Sequence, residues 1–342
     1  MKVAIDFNVI NQIKDFTEFE YIYIFSTEKL EYLIKTGLHC IHKDYIDEVD
    51  INLSMYDIKC LKKANIKDKD WKKPPELKQN KFGIIVPNCN YEEWLDKSLG
   101  SIAKQTYKNF EVIFVDDMST DKSVEKAETY KDKMNIKIIQ LKQKRLNGGA
   151  RNEAYLHLSD DVDYVMYVDS DDWLLNENVL EQINRALINR PDVLFIGMSD
   201  YIKGRTAECY KPEYKDKYEA IKGWSGSCGK VIKKQLATRQ ECLYNEGTLK
   251  EDRNQHRRIC IYMKDFELLK KPFYVWNKSN NKSVTTIRKR NPLWETSTIR
   301  QYADILLLQL QQKGKDEKMD KILDEAVKKC KKEIEDGGDR QW

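Results

Sequence analysis

The chain has 342 residues, 41% hydrophobic and 11% aromatic, with 60 Lys and Arg against 56 Asp and Glu for a net charge of +4. This composition excludes global disorder, and the length suits two domains or one large domain with an appendage. No apolar run reaches the length of a membrane span, and the opening MKVAIDFNVI lacks a signal-peptide pattern. The eight cysteines are scattered without a CxxC pair, so they read as reduced thiols of a cytoplasmic protein, not as a disulfide framework or zinc site.

Charge is unevenly spread. Residues 81–202 carry 15 basic against 21 acidic side chains, a balance of −6, whereas residues 203–300 carry 23 against 11, a balance of +12. An acidic half beside a basic one suits a polyanionic partner such as a nucleotide diphosphate, a phosphorylated acceptor or nucleic acid; the plainer reading is a solvated Lys-rich surface.

In chain order, residues 1–77 alternate short strand-like runs at 3–5, 21–25 and 40–41 with a helical stretch at 27–36, which reads as a small accessory module. The charged segment 67–81, with Pro74 and Pro75, reads as an extended linker. From 82 a strand–helix rhythm follows. Strands are expected at 82–87, 110–116, 136–141, 164–169 and 193–197, and helices at 92–105, 123–134, 149–157 and 178–189. Alternation at this spacing predicts a doubly wound, mostly parallel α/β sheet. Beyond 203 the pattern loosens: helices at 218–223 and 252–261, and strands at 230–232 and 273–276. A helical pair follows at 294–312 and 315–336, with Leu306, Leu307, Leu310, Ile322, Leu323 and Val327 at helical spacing. This pair reads as a packing or oligomerisation element.

The run YVMYVDSDDW, residues 164–173, carries the strongest chemical signal. A buried strand ends in Asp169, Asp171 and Asp172 at the carboxyl edge, where open α/β sheets bind ligands. Carboxylates one residue apart repel unless a hard cation lies between them, and such a cation commonly also holds a diphosphate. The plainer reading is an acidic turn. Three further features fall on the same edge. The strand IIVP runs into Asn88, Cys89, Asn90 and Tyr91. The strand EVIFV ends in Asp116 and Asp117 before Ser-Thr-Asp. Asn147-Gly148-Gly149-Ala150-Arg151-Asn152 forms a glycine turn opening a helix. A carboxylate at a strand end can accept from a nucleobase imide, an arginine at a helix start can meet phosphate, and Gly-Gly allows close backbone approach. Singly, each would pass as a helix cap or a loop.

Together, IIVPNCNY, SLGSIAKQTYKNFEVIFVDDMSTDKS, NGGARNEA and YVDSDDWL make residues 82–286 resemble the family 2 glycosyltransferases, inverting enzymes of the GT-A fold that use nucleotide-diphosphate sugars. The resemblance implies a GT-A domain over 78–290, its nucleotide-sugar half at 82–200 and acceptor half at 201–290, between the accessory module 1–77 and a helical extension 291–342. It implies that Pro87, Asn90, Tyr91 and Asp117 bind the nucleoside, with Asp117 facing the base and uracil the favoured base. Asp116 would support that loop or the ribose, and Arg151 would lie near the diphosphate. Asp169, with Ser170 beside it, Asp171 and the acidic neighbour Asp172 would form the Asp-x-Asp site for Mn²⁺ or Mg²⁺, Asp171 foremost. Cys89 departs from the pattern, since the family often carries an aromatic residue there, and Tyr91 is the substitute.

Inverting transfer needs a carboxylate beside the acceptor hydroxyl. By resemblance it comes from Glu251-Asp252, with Asp252 the base and Glu251 its partner or substitute; the plainer reading makes Asp252 a helix cap. Asn277 stands where the family often has arginine, leaving Lys278 or Lys282 for phosphate. His256 follows Asp252 by one turn and reads as a surface residue, with acceptor contact as the alternative. Trp224 in WSGSCGK could stack on a sugar or pack in the core. The function implied is a metal-dependent inverting transfer from a UDP-linked sugar to a hydroxyl of a glycan or polysaccharide. Two alternatives stand beside it: transfer to hydroxymethylated bases of phage-type DNA, and non-catalytic nucleotide-sugar binding on the same fold.

Overall fold

The computed structural model describes residues 2–6, 21–25, 41–42, 78–280 and 293–335. The chain divides into a unit formed by residues 1–78 and 182–190 and a larger unit formed by 79–181 and 191–342. In the first, β1 (Lys2–Asp6) pairs in parallel with β2 (Tyr21–Phe25), which pairs antiparallel with β3 (Ile41–His42). The helix expected at 27–36 and most of the linker lie outside the described residues.

The larger unit is built on a nine-stranded sheet. Its parallel part comprises β6 (Ile136–Gln140), β5 (Phe110–Asp116), β4 (Phe82–Asn88) and β7 (Tyr164–Tyr167), in that spatial order. Every residue of β4, β5 and β7 is buried. Their continuous apolar runs suit strands covered on both faces. The register pairs Phe82 with Phe110 and ends with Asn88 beside Asp116. Two polar side chains therefore meet at the carboxyl edge, on strands about 4.8 Å apart. Helices α1 (Leu95–Ala103), α2 (Ser123–Glu128) and α3 (Leu146–Leu156) follow β4, β5 and β6. α1 buries Leu95, Leu99 and Ile102, at the i, i+4, i+7 spacing of one helical face.

Beyond β7 the sheet changes character. β11 (Lys230–Lys233) lies antiparallel between β7 and β9 (Val193–Ile202), and β12 (Phe266–Asn277) runs parallel to β9. The two-residue β8 (Trp173–Leu174) joins the far edge against β12, and β10 (Arg205–Tyr210) forms a hairpin with β9. The sheet is thus mixed, parallel across β6, β5, β4 and β7. β12 bulges at Pro272, opposite Gly197. A Cβ at 197 would stand 2.5 Å from the Lys271 carbonyl oxygen, so only glycine admits this approach. β8, β10 and a short helix α6 (Lys234–Ala237) were not expected from the sequence. The remaining helices are α4 (Val179–Ala186), α5 (Lys217–Ala220), α7 (Glu251–Tyr262), α8 (Leu293–Gln312) and α9 (Glu317–Glu335).

The second helix of the C-terminal pair forms part of the main core. Met319, Ile322 and Leu323 of α9 join the buried cluster that contains Ile85, Ile113 and Val165. The buried stripe of α8 differs from the expected one: Ile305 and Leu308 face inward, whereas Leu307 and Leu310 are exposed. Because Leu323 is fully buried in that shared cluster, Leu323→Ala should cost about 2–5 kcal/mol. Urea unfolding followed by circular dichroism measures it; a loss below about 0.5 kcal/mol would mean that the pair is a separable appendage.

Candidate active site

The first cluster lies where β4 and β5 end. Asn88 Nδ2 donates to Asp116 Oδ1 (2.8 Å), and the Ser119 backbone N–H donates to Asp116 Oδ2 (2.9 Å). Asn90 Oδ1 accepts from the Thr120 N–H (2.7 Å), while the Asn90 N–H donates to Ser119 Oγ (2.9 Å). Asp116 therefore holds the loop after β5 against Asn88. Asp117 is buried, and its two oxygens accept from the backbone N–H groups of Arg145 (2.7 Å) and Leu146 (2.9 Å). It caps the start of α3, keeping only its remaining lone pairs for a ligand. Lys144 reaches across from the same turn to the Asp117 carbonyl (2.8 Å) and to Cys89. Three non-glycine residues with positive φ surround this spot: Asn90 at 62°, Met118 at 60° and Leu146 at 58°. Such strained backbone concentrates at functional sites.

The acidic motif follows β7. Ser170 Oγ donates to the Pro87 carbonyl (2.9 Å), fastening the motif to the end of β4. Each oxygen of Asp172 accepts one hydrogen bond: Tyr274 Oη donates to Oδ2 (2.6 Å) and the Asn277 N–H to Oδ1 (2.8 Å). It anchors β12, keeping only its remaining lone pairs beside the pair Asp169 and Asp171. Asp169 is 30% exposed. Asp171 accepts from Asn280 Nδ2 (2.7 Å), and burial together with repulsion from Asp169 raises its pKa to about 6. Burial, with the charges of Asp171 and Asp169, also raises the Tyr91 phenol, so Tyr91 lies within the field of the pair.

Two oxygen-donor carboxylates held against mutual repulsion fit a hard divalent cation. Among the described residues no group of three or more His, Cys, Asp or Glu side chains converges to hold a metal. The fit is therefore to a cation whose remaining positions are filled by phosphate oxygens or water, the usual manner of Mg²⁺ with a nucleotide.

Arg151 joins this edge to the start of the helix 251–262. Almost fully buried, its guanidinium donates to Asp169 Oδ1 (2.7 Å) and to Glu251 Oε1 (2.9 Å), and lies against the rings of Tyr244 (5.3 Å) and Tyr167 (6.0 Å). Arg151 thus bridges two carboxylates, one of them in the acidic motif. Glu251 opens α7, where burial and repulsion from Asp252 raise its pKa to about 7, against the pull of Arg151. Asp252, beside it, is half-exposed and accepts no hydrogen bond among the described residues. Gly148 explains how α3 comes so close: a Cβ there would stand 2.6 Å from the Asn245 carbonyl oxygen and 3.1 Å from Glu251 Cβ.

His256 is not the surface residue expected; it is 1% exposed. Its Nε2 is 2.9 Å from the Ala220 carbonyl and its Nδ1 is 3.3 Å from Lys230 Nζ, which also donates to the Ser225 carbonyl (3.0 Å). Burial and the Lys230 charge hold the imidazole neutral, and burial lowers Lys230 to about 8. These two residues fix the segment carrying Trp224 onto α7. Trp224 packs against Tyr210 and Trp276. Lys278 is bound to Asp200 (2.5 Å) and lies over Trp276, and Lys282 falls outside the described residues. Sequence reasoning missed Arg145, which forks onto Glu246 (3.0 and 2.6 Å), as well as Tyr274 and Asn280. Nothing local marks them, since each partner lies about a hundred residues away.

A parallel nucleotide half with an Asp-x-Asp at its edge, joined to a mixed half that presents a carboxylate helix, defines the GT-A type of nucleotide-sugar-binding fold. Residues 83–241 match the family model described as Glycosyl transferase family 2, and this segment is a domain of that family. It is similar to the poly(ribitol-phosphate) β-N-acetylglucosaminyltransferase TarS of Staphylococcus aureus, 35% identical over 127 residues, which is 36% of this chain and 22% of that one. It also resembles the UDP-Glc:α-D-GlcNAc-diphosphoundecaprenol β-1,3-glucosyltransferase WfgD of Escherichia coli, 33% identical over 33% of this chain and 43% of that one. The aligned segments thus span less than half the length of these relatives. The crystal structure of S. aureus TarS 1–349 is 26% identical with a TM-score of 0.51 over 66% of this chain and 65% of that one. The same protein with UDP-GlcNAc gives a TM-score of 0.59 at 22% identity over 75% and 73%, a likeness of fold. Glu251, Asp252 and the C-terminal helices lie beyond the residues matched to the family model.

A raised carboxylate pKa makes a signed statement about stability. Glu251 stays protonated in the folded chain up to about 7, against an ordinary 4.5. Its contribution is fully present below 4.5 and is lost as pH rises through about 7. Between pH 5 and 8, Glu251→Gln should therefore lose less stability than the parent chain. Urea midpoints across that range test this, and parallel curves for the two proteins would refute it.

Proposed function

We propose that this protein is a metal-dependent inverting glycosyltransferase that moves a sugar from a UDP-linked donor to a hydroxyl of a glycan. The observation that carries the reading is the Arg151 bridge, because a single guanidinium spans the metal-type carboxylate Asp169 and the acceptor-side Glu251. Donor and acceptor chemistry are thereby held on one buried point of charge. Asn88, Asn90 and Ser119 form the nucleoside pocket, with the remaining lone pairs of Asp117 offered to the base. Bound by Asp169 and Asp171, Mn²⁺ or Mg²⁺ would offset the charge that develops on the departing diphosphate. Glu251 is held by Arg151, so the free carboxylate of Asp252 takes the acceptor proton as the oxygen attacks the far face of the anomeric carbon. Six free cysteines among the described residues support a cytoplasmic setting, and no described helix is long and apolar enough to cross a membrane.

Transfer to hydroxymethylated DNA draws its support from the +12 segment. Part of that charge is already engaged: Lys230 and Lys250 are buried, Arg258 pairs with Asp304, and the exposed Lys278 pairs with Asp200. Salt-sensitive binding to duplex DNA would reinstate that reading.

The deciding measurement is UDP release from a panel of nucleotide sugars with Mn²⁺. Release should require the metal, and Asp171→Asn should lower it at least ~100-fold. Full release in EDTA would sink the metal assignment. Asp252→Asn should abolish transfer while UDP affinity by calorimetry stays within about twofold. Retention of transfer within about threefold would leave Asp252 a first-turn acid of α7 and move the role to Glu251.

A further inference from the structure

The loop before α7 is held from two sides. On the nucleotide side, Asn152 clasps Tyr244 through Oδ1 (2.9 Å from the Tyr244 N) and Nδ2 (2.9 Å from its carbonyl), while Arg145 holds Glu246. On the other side stands α8, beyond the residues matched to the family. Ser297 Oγ accepts from the Leu249 N–H (2.9 Å) while donating to the Leu293 carbonyl (2.6 Å). Thr298 Oγ1 accepts from Lys250 Nζ (2.8 Å), and Arg300 donates to the Gly247 carbonyl (3.1 Å). Gly247 turns the loop at φ 66°.

A helix that served only as packing would bury an apolar stripe. Among the side chains described, the first half of α8 instead buries Ser297, Thr298 and Gln301 at 1–2% exposure, with apolar Ile305 and Leu308 buried further along. Buried polar groups carry a desolvation cost unless they are specifically bonded. Here Ser297 and Thr298 are bonded to the two residues that lead directly into Glu251 and Asp252.

We infer that α8 is a positioning element of the acceptor side, with Ser297 the residue that aims the loop 245–250, and hence Glu251 and Asp252, at the site. The inference rests on the proposed function for its catalytic meaning. Ser297 acts through the Leu249 N–H and touches no substrate. Ser297→Thr keeps the hydroxyl; Ser297→Ala leaves that N–H without its partner.

The experiment measures three quantities on the full chain: kcat for UDP release from the best sugar of the panel with Mn²⁺, UDP affinity by calorimetry, and hydrogen exchange of peptides covering 245–252 and 110–116. Ser297→Ala should lower kcat at least tenfold, leave UDP affinity within twofold, and speed exchange at 245–252 but not at 110–116. Ser297→Thr should restore both readouts. Unchanged kcat, or unchanged exchange at 245–252, overturns the inference. So does a loss of kcat accompanied by faster exchange at 110–116, which marks general destabilisation. If the parent chain neither binds UDP nor releases it, the proposed function fails by itself, and exchange at 245–252 still decides whether Ser297 holds the loop.

Discussion

The structure depends on one buried guanidinium. Arg151 is removed from water by Tyr167 and Tyr244, a burial that is tolerable only because Asp169 and Glu251 take up its N–H groups. Each carboxylate is in turn constrained by its surroundings. Asp169 must stand at the end of β7 beside Asp171, and Glu251 must open α7 against Gly148. The acidic motif, the glycine helix and the carboxylate helix thus occupy mutually determined positions. None could shift by the width of a side chain without leaving a buried charge unpaired.

Much of this was open to reading in the amino-acid order, and the reasons are physical. β4, β5 and β7 are covered on both faces and so appear as uninterrupted apolar runs; β5 matches its expected bounds. The family resemblance, the α/β sheet and the C-terminal helices stand as read. What escaped reading depends on distant partners. Asp172 looks like a ligand until Tyr274 and Asn277 are found holding it from a hundred residues away. Asp117 looks free until the turn before α3 closes on it. His256 sits in the polar run DRNQHRR, whose composition hides a buried face. β10 is almost entirely exposed and carries no alternating pattern to announce it.

The basic acceptor half shows how poorly a charge tally describes a surface. Lys230 has neutral partners in the core, and Lys250 and Arg258 fasten helices together. These cations act as internal struts more than as a field for polyanions, and the local interactions of each, not their sum, determine what the segment can bind.

The long sequence span of the Arg151–Glu251 bridge bears on how the chain reaches its native state. The partners lie 100 residues apart, whereas Arg151 and Asp169 are separated by 18. Closing short loops precedes closing long ones when topology limits the rate. The nucleotide half, whose strands join near neighbours, therefore matures first, with Glu251 arriving only after β9, β11 and β12 have paired. Until then Arg151 has a single carboxylate partner and an apolar pocket still open to water. The bridge at Arg151 is therefore closed only by a segment a hundred residues downstream, so its completion reports on the folding of the whole span between them.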